Sequence, residues 1–527
     1  MEKRLIIAIA LSVLIIVGFQ FLFPAPKKTP VPVETQEQAV IKEKAAEVVQ
    51  YIPPAPPAEE KEFTIATDRY ILTFSNIGGA IKKIELINYK KLKSNEPMIL
   101  VEEKTPSNYI FSMKDSINAL PIDQAEYKLA SSDNRVIYTA NIKNLTIEKT
   151  YILHKSSNII ELQLSIKNNS SVPAEFGYKI IAGSGLVEPS PADKRFIEVT
   201  SKVDGKAFGF KRPKDNIITN PGIVSWVATK TRYFSLITKP YGATKSQYHG
   251  YVGAEDLFSG IEMQQVTIPP NAVAQNKFIL YAGPSIASDL KKLGLEFEES
   301  INYGFFGGIA KVLLAIAAFC HYLLKNWGLA IILLSILLNI VLFPLTMKSF
   351  KSMQKMHELH PQMEKLKAQY KDSPQKLNKE VLELYKKYKI NPLSGCLPLL
   401  LQMPIFVALY EALTKSVDLR GAGFLWITDL SMPDAVPIPF TLPIFGNSIN
   451  ILPLLMVGLM VVQQKISSKV MGAAVTEEQR QQQKIMLIMM PIMFGFIFYN
   501  MPSGMVLYWV VNTILTIVEQ AVILKND

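Results

Sequence analysis

Asn326–Thr346 reads NWGLAIILLSILLNIVLFPLT, with no charged side chain anywhere in it. At about 1.5 Å per residue, a helix of this length crosses a hydrocarbon core of about 30 Å. The segment that follows has the opposite character. Between Met347 and Gly395 stand eleven lysines and five acidic residues. Positive flanks stay on the cytoplasmic side, so an apolar span that runs into a lysine-rich loop places that loop in the cytoplasm. The chain reads as a membrane protein, and its remaining topology can be worked outward from this junction.

Toward the C-terminus, Cys396–Ser416, Ser448–Ser467, Lys484–Asn500 and Ser503–Leu524 are four more runs of membrane length. They put 417–447 outside, 468–483 inside, and the tail after Leu524 inside. Toward the N-terminus, Leu5–Phe23 is a largely apolar run after Met1-Glu2-Lys3-Arg4. It is longer than a signal-peptide core, and Phe23-Pro24-Ala25-Pro26 offers no A-x-A cleavage site, so it reads as an uncleaved signal anchor. Its basic start is cytoplasmic, so the chain from Pro24 to about Glu299 lies outside. Only one crossing can then bring it back before Met347. Gly304–Lys325, interrupted by Lys311 and His321, therefore reads as an interfacial helix in the membrane plane, and 326–346 is the span. The expectation is six spans with both termini cytoplasmic.

Composition agrees. Charged residues are 19% of the chain, below the roughly 25% of a soluble domain, and the mean hydropathy is +0.18. Cys320 and Cys396 are the two cysteines, which rules out a disulfide scaffold and a cysteine-rich zinc module. Residues 24–60, rich in Pro, Ala, Lys and Glu, have too little apolar surface to pack and read as a disordered tether. Over 61–284 short β-branched and aromatic runs alternate between turn residues. Examples are Tyr70–Phe74, Arg135–Ile142 and Ile159–Ile166. They predict an all-β sandwich, and 285–325 a linker leading into the interfacial helix. Inside 61–284 only His154 and His249 occur, with no G-x-S-x-G and no phosphate loop. No catalytic residue is assigned. The basic run Lys202, Lys206, Lys211, Arg212 and Lys214 reads as a solvated loop, or as a contact for an acidic partner or lipid headgroups.

The cytoplasmic segment 347–395 has two amphipathic stripes. Met353, Met356, Leu359 and Leu366 mark the first; Leu377, Val381, Leu384 and Tyr388 mark the second. Asp372-Ser373-Pro374 separates them, which predicts a helical hairpin. So many lysines fit a position beside anionic lipid. His357-Glu358-Leu359-His360 spaces its histidines three apart, not the four a zinc helix needs, so no metal site is assigned.

Polar side chains within spans are costly and face a bundle interior or a wet cavity. Here they are Ser335 and Asn339; Gln402; Gln463 and Gln464; and Tyr508, Asn512 and Thr516 at steps of four, with Thr513 beside them. Those near 326–346, 396–416 and 503–524 can converge on one hydrophilic cavity, or serve as interhelical glue. A transporter would show repeats or mid-membrane carboxylate pairs. The carboxylates within these spans, Glu411 and Glu519, lie toward span ends.

Three motifs point to a family. Asn391–Phe406 (NPLSGCLPLLLQMPIF), Met501–Trp509 (MPSGMVLYW) and Phe343-Pro344-Leu345-Thr346 closely resemble the signatures of the YidC/Oxa/Alb membrane protein insertases. The likeness is specific over about 304–524. The anchor plus large β domain resembles the Gram-negative subtype by layout. The resemblance implies a polytopic α-helical protein of the bacterial inner membrane, with a five-span core and a periplasmic all-β sandwich. It implies an insertase and chaperone, not an enzyme, with no cofactor and no nucleotide consumed. A groove open to cytoplasm and lipid would receive a client's polar flank, and the cytoplasmic hairpin would help to receive it. The implied partners are nascent membrane proteins, the Sec translocon with its accessory proteins, anionic lipids, and the ribosome weakly, since the tail is short. No nucleic acid is implied as a specific ligand. Tyr508 and Trp509 match the family's aromatic pair, and Gln402 carries over within its motif. Ser335, Asn339, Asn512 and Thr513 complete the expected groove. Asn339 stands where the family commonly has Arg, which puts charge-pairing there in doubt. The competing readings are a small-solute transporter or channel, and an envelope enzyme that uses the β domain.

Overall fold

The computed structural model describes residues 59–527, apart from 92–93, 188–190, 211–216, 253–255, 371–372, 389–396, 443–445, 472–476 and 526–527. The expected anchor at 5–23 and all but the end of the expected tether lie outside these residues, as do Lys211, Arg212 and Lys214 of the basic run.

Residues 62–284 form the expected β sandwich. Nine antiparallel strands make the main sheet, in the order Lys206–Phe210, Glu198–Val203, Val224–Lys230, Phe234–Tyr241, Val273–Pro284, Ile159–Asn168, Leu145–Leu153, Arg135–Ile142 and Lys128–Ser132. A five-stranded sheet built on Thr244–Val252, Asp256–Met263 and Tyr178–Gly183 faces it. Buried hydroxyls pin the two sheets together: Thr229 Oγ1 meets Ser259 Oγ at 2.6 Å, and Thr238 Oγ1 donates to the Ala182 carbonyl at 2.7 Å. A four-stranded sheet, Glu62–Ala66 to Pro97–Glu102, closes the side of the core. The period-two alternation of Arg135–Ile142 is the burial alternation of that strand, with Val136, Tyr138, Ala140 and Ile142 inward. Lys202 of the basic run pairs with Glu296 and Glu299 of the linker at 2.9 and 3.0 Å.

Alternation also turns Lys149 inward, between Ile147 and Tyr151. Its amine is fully buried and donates to the carbonyls of Gly78 and Phe111, each at 2.7 Å, over the ring of Tyr127. Gly78 and Phe111 both have positive φ, 70° and 68°, so the amine ties down two left-handed turns. Burial pushes its pKa down to about 7, against the pull of Asp123. Above that value the unfolded chain holds a proton the sandwich does not, so stability rises with pH until the free-lysine value near ~10.4. The unfolding midpoint of the sandwich is expected to climb by several degrees between about pH 7 and pH 9, at roughly 2–4 °C per kcal/mol. Thermal unfolding followed by near-UV circular dichroism checks this, and Lys149→Met should flatten the slope.

Helix α1 (Ala287–Lys292) leads from the sandwich to α2 (Gly307–Leu324) and α3 (Trp327–Glu358). Then come α4 (His360–Gln369), α5 (Pro374–Lys387), α6 (Leu397–Lys415), α7 (Ile451–Met471), α8 (Glu477–Tyr499) and α9 (Ser503–Lys525). By length and apolarity, α2, Trp327–Ser352 of α3 and Ser503–Val522 of α9 are long enough to cross a membrane, while Ile451–Ser467 and Leu487–Tyr499 are shorter apolar helices. Gly304, just before α2, faces Glu411 of α6, and His321 in the last turn of α2 stacks on Trp327 of α3 at 4.3 Å.

One boundary differs from expectation. The helix that carries the expected span at 326–346 does not stop at Pro344-Leu345-Thr346. α3 continues through Pro344 to Glu358, and the first hairpin stripe is split between the end of α3 and α4. Pro344 removes one donor, but Met347–Glu358 is built of good helix formers with no cap residue to stop it. The break comes at Leu359, ahead of Pro361 at the start of α4.

Residues 417–435, within the loop expected at 417–447, are folded against the bundle. Leu419, Ile427 and Leu430 are buried in its core, and Phe424 and Ile427 exchange backbone hydrogen bonds at 2.8 and 2.9 Å. A two-stranded hairpin, Val436–Leu442 with Gly446–Ile449, follows.

Candidate functional site

Helix α9 carries most of the expected site because its polar residues recur at helical spacing. Tyr508, Asn512, Thr516 and Glu519 share one face; Trp509, Thr513 and Gln520 lie on the next. Three polar pairs bridge α9 to its neighbours. Asn339 Nδ2 on α3 donates to Asn512 Oδ1 at 2.9 Å. Gln402 Nε2 on α6 donates to the Tyr508 hydroxyl at 2.6 Å. Gln520 Nε2 donates to Ser467 Oγ on α7 at 2.9 Å, with both residues buried. Asn339, Gln402 and Asn512 are half-buried.

The structure thus brings together Asn339, Gln402, Tyr508 and Asn512. Ser335 and Thr513 are buried, and their hydroxyls turn back to their own helices, to the carbonyls of Ile331 and Trp509, each at 2.8 Å. Trp509 sits among Phe406, Phe494 and Phe498 at ring distances of 5.2, 5.5 and 5.1 Å, joining α6, α8 and α9. The Gln520–Ser467 pair was missed in the sequence reading. Gln520 stands eight residues after Asn512, a recurrence that could have flagged it. Glu519 is half-buried.

The three bridging pairs are all neutral. Each offers both donors and acceptors, and such pairs inside a membrane average about 0.6 kcal/mol. The end nearer the sandwich is different. Leu409, Ala412, Leu413, Leu430, Leu452, Met456, Met505 and Val506 fill it and are all buried. Ser503 and Gly504 donate their backbone N–H groups to the carbonyls of Met432 and Leu430 at 2.8 and 2.9 Å, so the 417–435 segment caps the start of α9. The bundle is apolar at the end nearer the sandwich and polar toward the other.

In the hairpin, Leu359 is buried and Leu384 half-buried. Gln362 Nε2 donates to the Tyr388 hydroxyl at 3.3 Å, and the Tyr385 hydroxyl lies 3.4 Å from Met363 Sδ. Met353 and Met356 belong to α3, and their side chains lie outside the described residues, as do those of His357 and His360. Among the described residues no group of three His, Cys, Asp or Glu side chains is placed to hold a metal ion.

Comparison with known proteins covers both parts of the chain. Residues 62–316 match the family model described as the YidC periplasmic domain, and 319–527 the one described as the 60Kd inner membrane protein. The membrane protein insertase YidC of Pelobacter propionicus is 34% identical over the full length of both chains. That of Citrifermentans bemidjiense is 33% identical, covering 100% of this chain and 99% of its own. A crystal structure of an active YidC insertase aligns with 88% of this chain and 92% of its own, at 19% identity and a TM-score of 0.37.

Proposed function

The chain belongs to the YidC family of membrane protein insertases, and from that premise we propose that it inserts nascent inner-membrane proteins through a groove built on α3, α6 and α9. The observation that carries this is the contrast along the bundle, with exchangeable neutral polar pairs at Asn339–Asn512 and Gln402–Tyr508 and an apolar, capped seal beyond them. The sealed end is periplasmic and the polar end cytoplasmic. A client's hydrophilic flank enters among the amides while its apolar part passes into lipid, which lowers the cost of desolvating the flank. Insertion of this kind needs no nucleotide and no cofactor. The helices α3, α6, α7, α8 and α9 span the membrane with the apolar run at 5–23, and α2, interrupted by Lys311 and His321, lies in the outer interface. The lysine-rich hairpin of α4 and α5 faces anionic lipid and the incoming client. The insertase works alone or beside the Sec translocon, helps clients to fold, and holds ribosomes weakly.

The test is rescue of Gram-negative cells depleted of their own insertase, with insertion of a small single-span client read by protease protection. Rescue is the expected result. Correctly localised protein without rescue, even after Asn339→Arg, sinks the proposal.

The groove's neutrality has a consequence for clients. Asn339 bonds Asn512 with no charge, and the ionisable group on the same face of α9 is Glu519. Asn339→Arg is expected to raise insertion of clients with acidic tails relative to neutral ones by about fivefold or more, the size of a modest charge-assisted contact. Insertion of paired clients that differ only in tail charge measures this. An unchanged ratio would place Asn339 off the client's path.

A further inference from the structure

Residues 435–464 carry no charged side chain, yet the helix within them is short. α7 is apolar from Ile451 to Val462, about 18 Å of helix, whereas a hydrocarbon core is about 30 Å thick. The outer part of the uncharged run is the hairpin of Val436–Leu442 with Gly446–Ile449. On it Phe440 is 60% exposed. The turn Phe424–Ile427 lies against the base of this hairpin through Trp426 and Asp434, and there Leu425 is 76% exposed and Trp426 is exposed as well.

The polar groups of this region are used internally. Asp434 is buried, and its Oδ2 accepts from the Trp426 indole N–H at 3.1 Å and from the Leu452 amide at 2.9 Å, which ties the turn to the start of α7. Asn450 accepts the Ala435 amide at 2.9 Å and donates to the Tyr499 carbonyl at 2.7 Å. The Thr441 hydroxyl donates to Asn447 Oδ1 at 2.6 Å across the hairpin. Pro437 and Pro439 have no N–H, so their strand has fewer donors that would need water. Leu425 has a φ of 52°, a conformation that costs a bulky side chain, and backbone bonds between Phe424 and Ile427 hold it there. What remains on the outside is hydrocarbon.

That outside surface continues a face already assigned. On α7, Ile451, Leu454, Leu455 and Val462 are exposed and form one stripe, while Leu452 and Met456 turn inward. In a spanning α7 the stripe faces acyl chains. The hairpin leads directly into it, and the 425–426 turn is bonded to its first turn through Asp434. Exposed apolar surface of this kind marks a contact, and tryptophan favours the boundary between hydrocarbon and headgroups.

We propose that the Leu425–Trp426 turn and the hairpin at 436–449 form a lipid-contact surface, seated at the boundary between acyl chains and headgroups of the outer leaflet beside α7. The hairpin then supplies the apolar length that the helix lacks. This rests on the reading of α7 as a span with 417–447 outside.

The test uses the full chain with Cys320→Ser and Cys396→Ser, one chain per nanodisc of phosphatidylethanolamine and phosphatidylglycerol. A nitroxide is attached at Phe440→Cys, at Leu455→Cys on the α7 stripe, or at Val172→Cys, an exposed position of the sandwich. Collision of each label with dissolved oxygen and with a water-soluble nickel chelate gives its depth. The label at 440 is expected about 5–10 Å below the headgroup level, the depth of an interfacial segment, with 455 deeper and 172 in water. Should Phe440→Cys fail to fold, Leu425→Cys takes its place, with the same expected depth. A label at 440 as open to the nickel chelate as that at 172, with 455 in lipid, overturns the proposal and leaves the span standing. So does shielding at 440 that needs two chains in one disc, which would assign the surface to a second copy. A label at 455 in water would sink the span reading itself, and this proposal with it.

Discussion

Trp509→Ala should cost about 3–5 kcal/mol of stability, the usual price of emptying a large aromatic site in a packed core. The ring joins three helices through Phe406, Phe494 and Phe498, and the residue is 9% exposed, so its loss leaves a cavity that those rings cannot close without moving α8. A client-contact residue would behave differently: its removal would slow insertion and leave the fold alone. The neighbouring Tyr508→Phe is the contrast. It removes only the hydroxyl that accepts from Gln402, a change of about 1 kcal/mol, and should lower insertion while thermal stability in detergent stays near that of the parent. Unfolding and insertion measured on both variants separate the roles. Unaltered stability in Trp509→Ala would show that the aromatic cluster does not hold the bundle.

The second large effect is expected at Gly328, in the first turn of α3. A Cβ there would lie 2.1–2.5 Å from the ring and Cβ of Phe424, nearer than real contacts come. Phe424 cannot simply swing aside, because its backbone is bonded in both directions to Ile427. Gly328→Ala therefore has to lift the 417–435 segment off α3. Overpacking of this kind costs about 1–3 kcal/mol. On α7, Gly458 has open space around its Cβ position, so Gly458→Ala should be neutral, or stabilising by up to about 1 kcal/mol through helix propensity. The unfolding temperature should fall in Gly328→Ala and not in Gly458→Ala, and protease cutting within 417–435 should rise only in Gly328→Ala. Matched behaviour of the two would mean that Phe424 does not seat the segment.

Much of this protein was legible along the chain. Runs of membrane length, a lysine-rich segment after one of them and period-two alternation over 61–284 are local signals. Each reports a solvent preference that no distant contact can reverse: twenty apolar residues stay out of water, and every second residue of a strand points inward. The same spacing put Tyr508 and Asn512 on one face of α9, because helical geometry is set within four residues.

What a side chain meets on that face was not legible, since the partner comes from another element. Alternation turned Lys149 inward, but only the approach of the turns at Gly78 and Phe111 explains how a buried amine is tolerated there. Trp509 and Tyr508 are adjacent and look alike in sequence, yet one fills an aromatic core and the other faces Gln402. Residues 417–435 carry no strong periodicity, and their order comes from covering the ends of α3 and α9. Arg232, in the turn between Val224–Lys230 and Phe234–Tyr241, donates to the carbonyls of Thr414 and Ser431, about two hundred residues along the chain, and nothing in its own neighbourhood marks those partners. The sequence by itself determined which segments leave water and which face each residue takes, because those depend on local geometry and hydration. The tertiary structure alone decided which buried polar groups meet, because a hydrogen bond needs its partner within about 3 Å and chain order does not encode that distance.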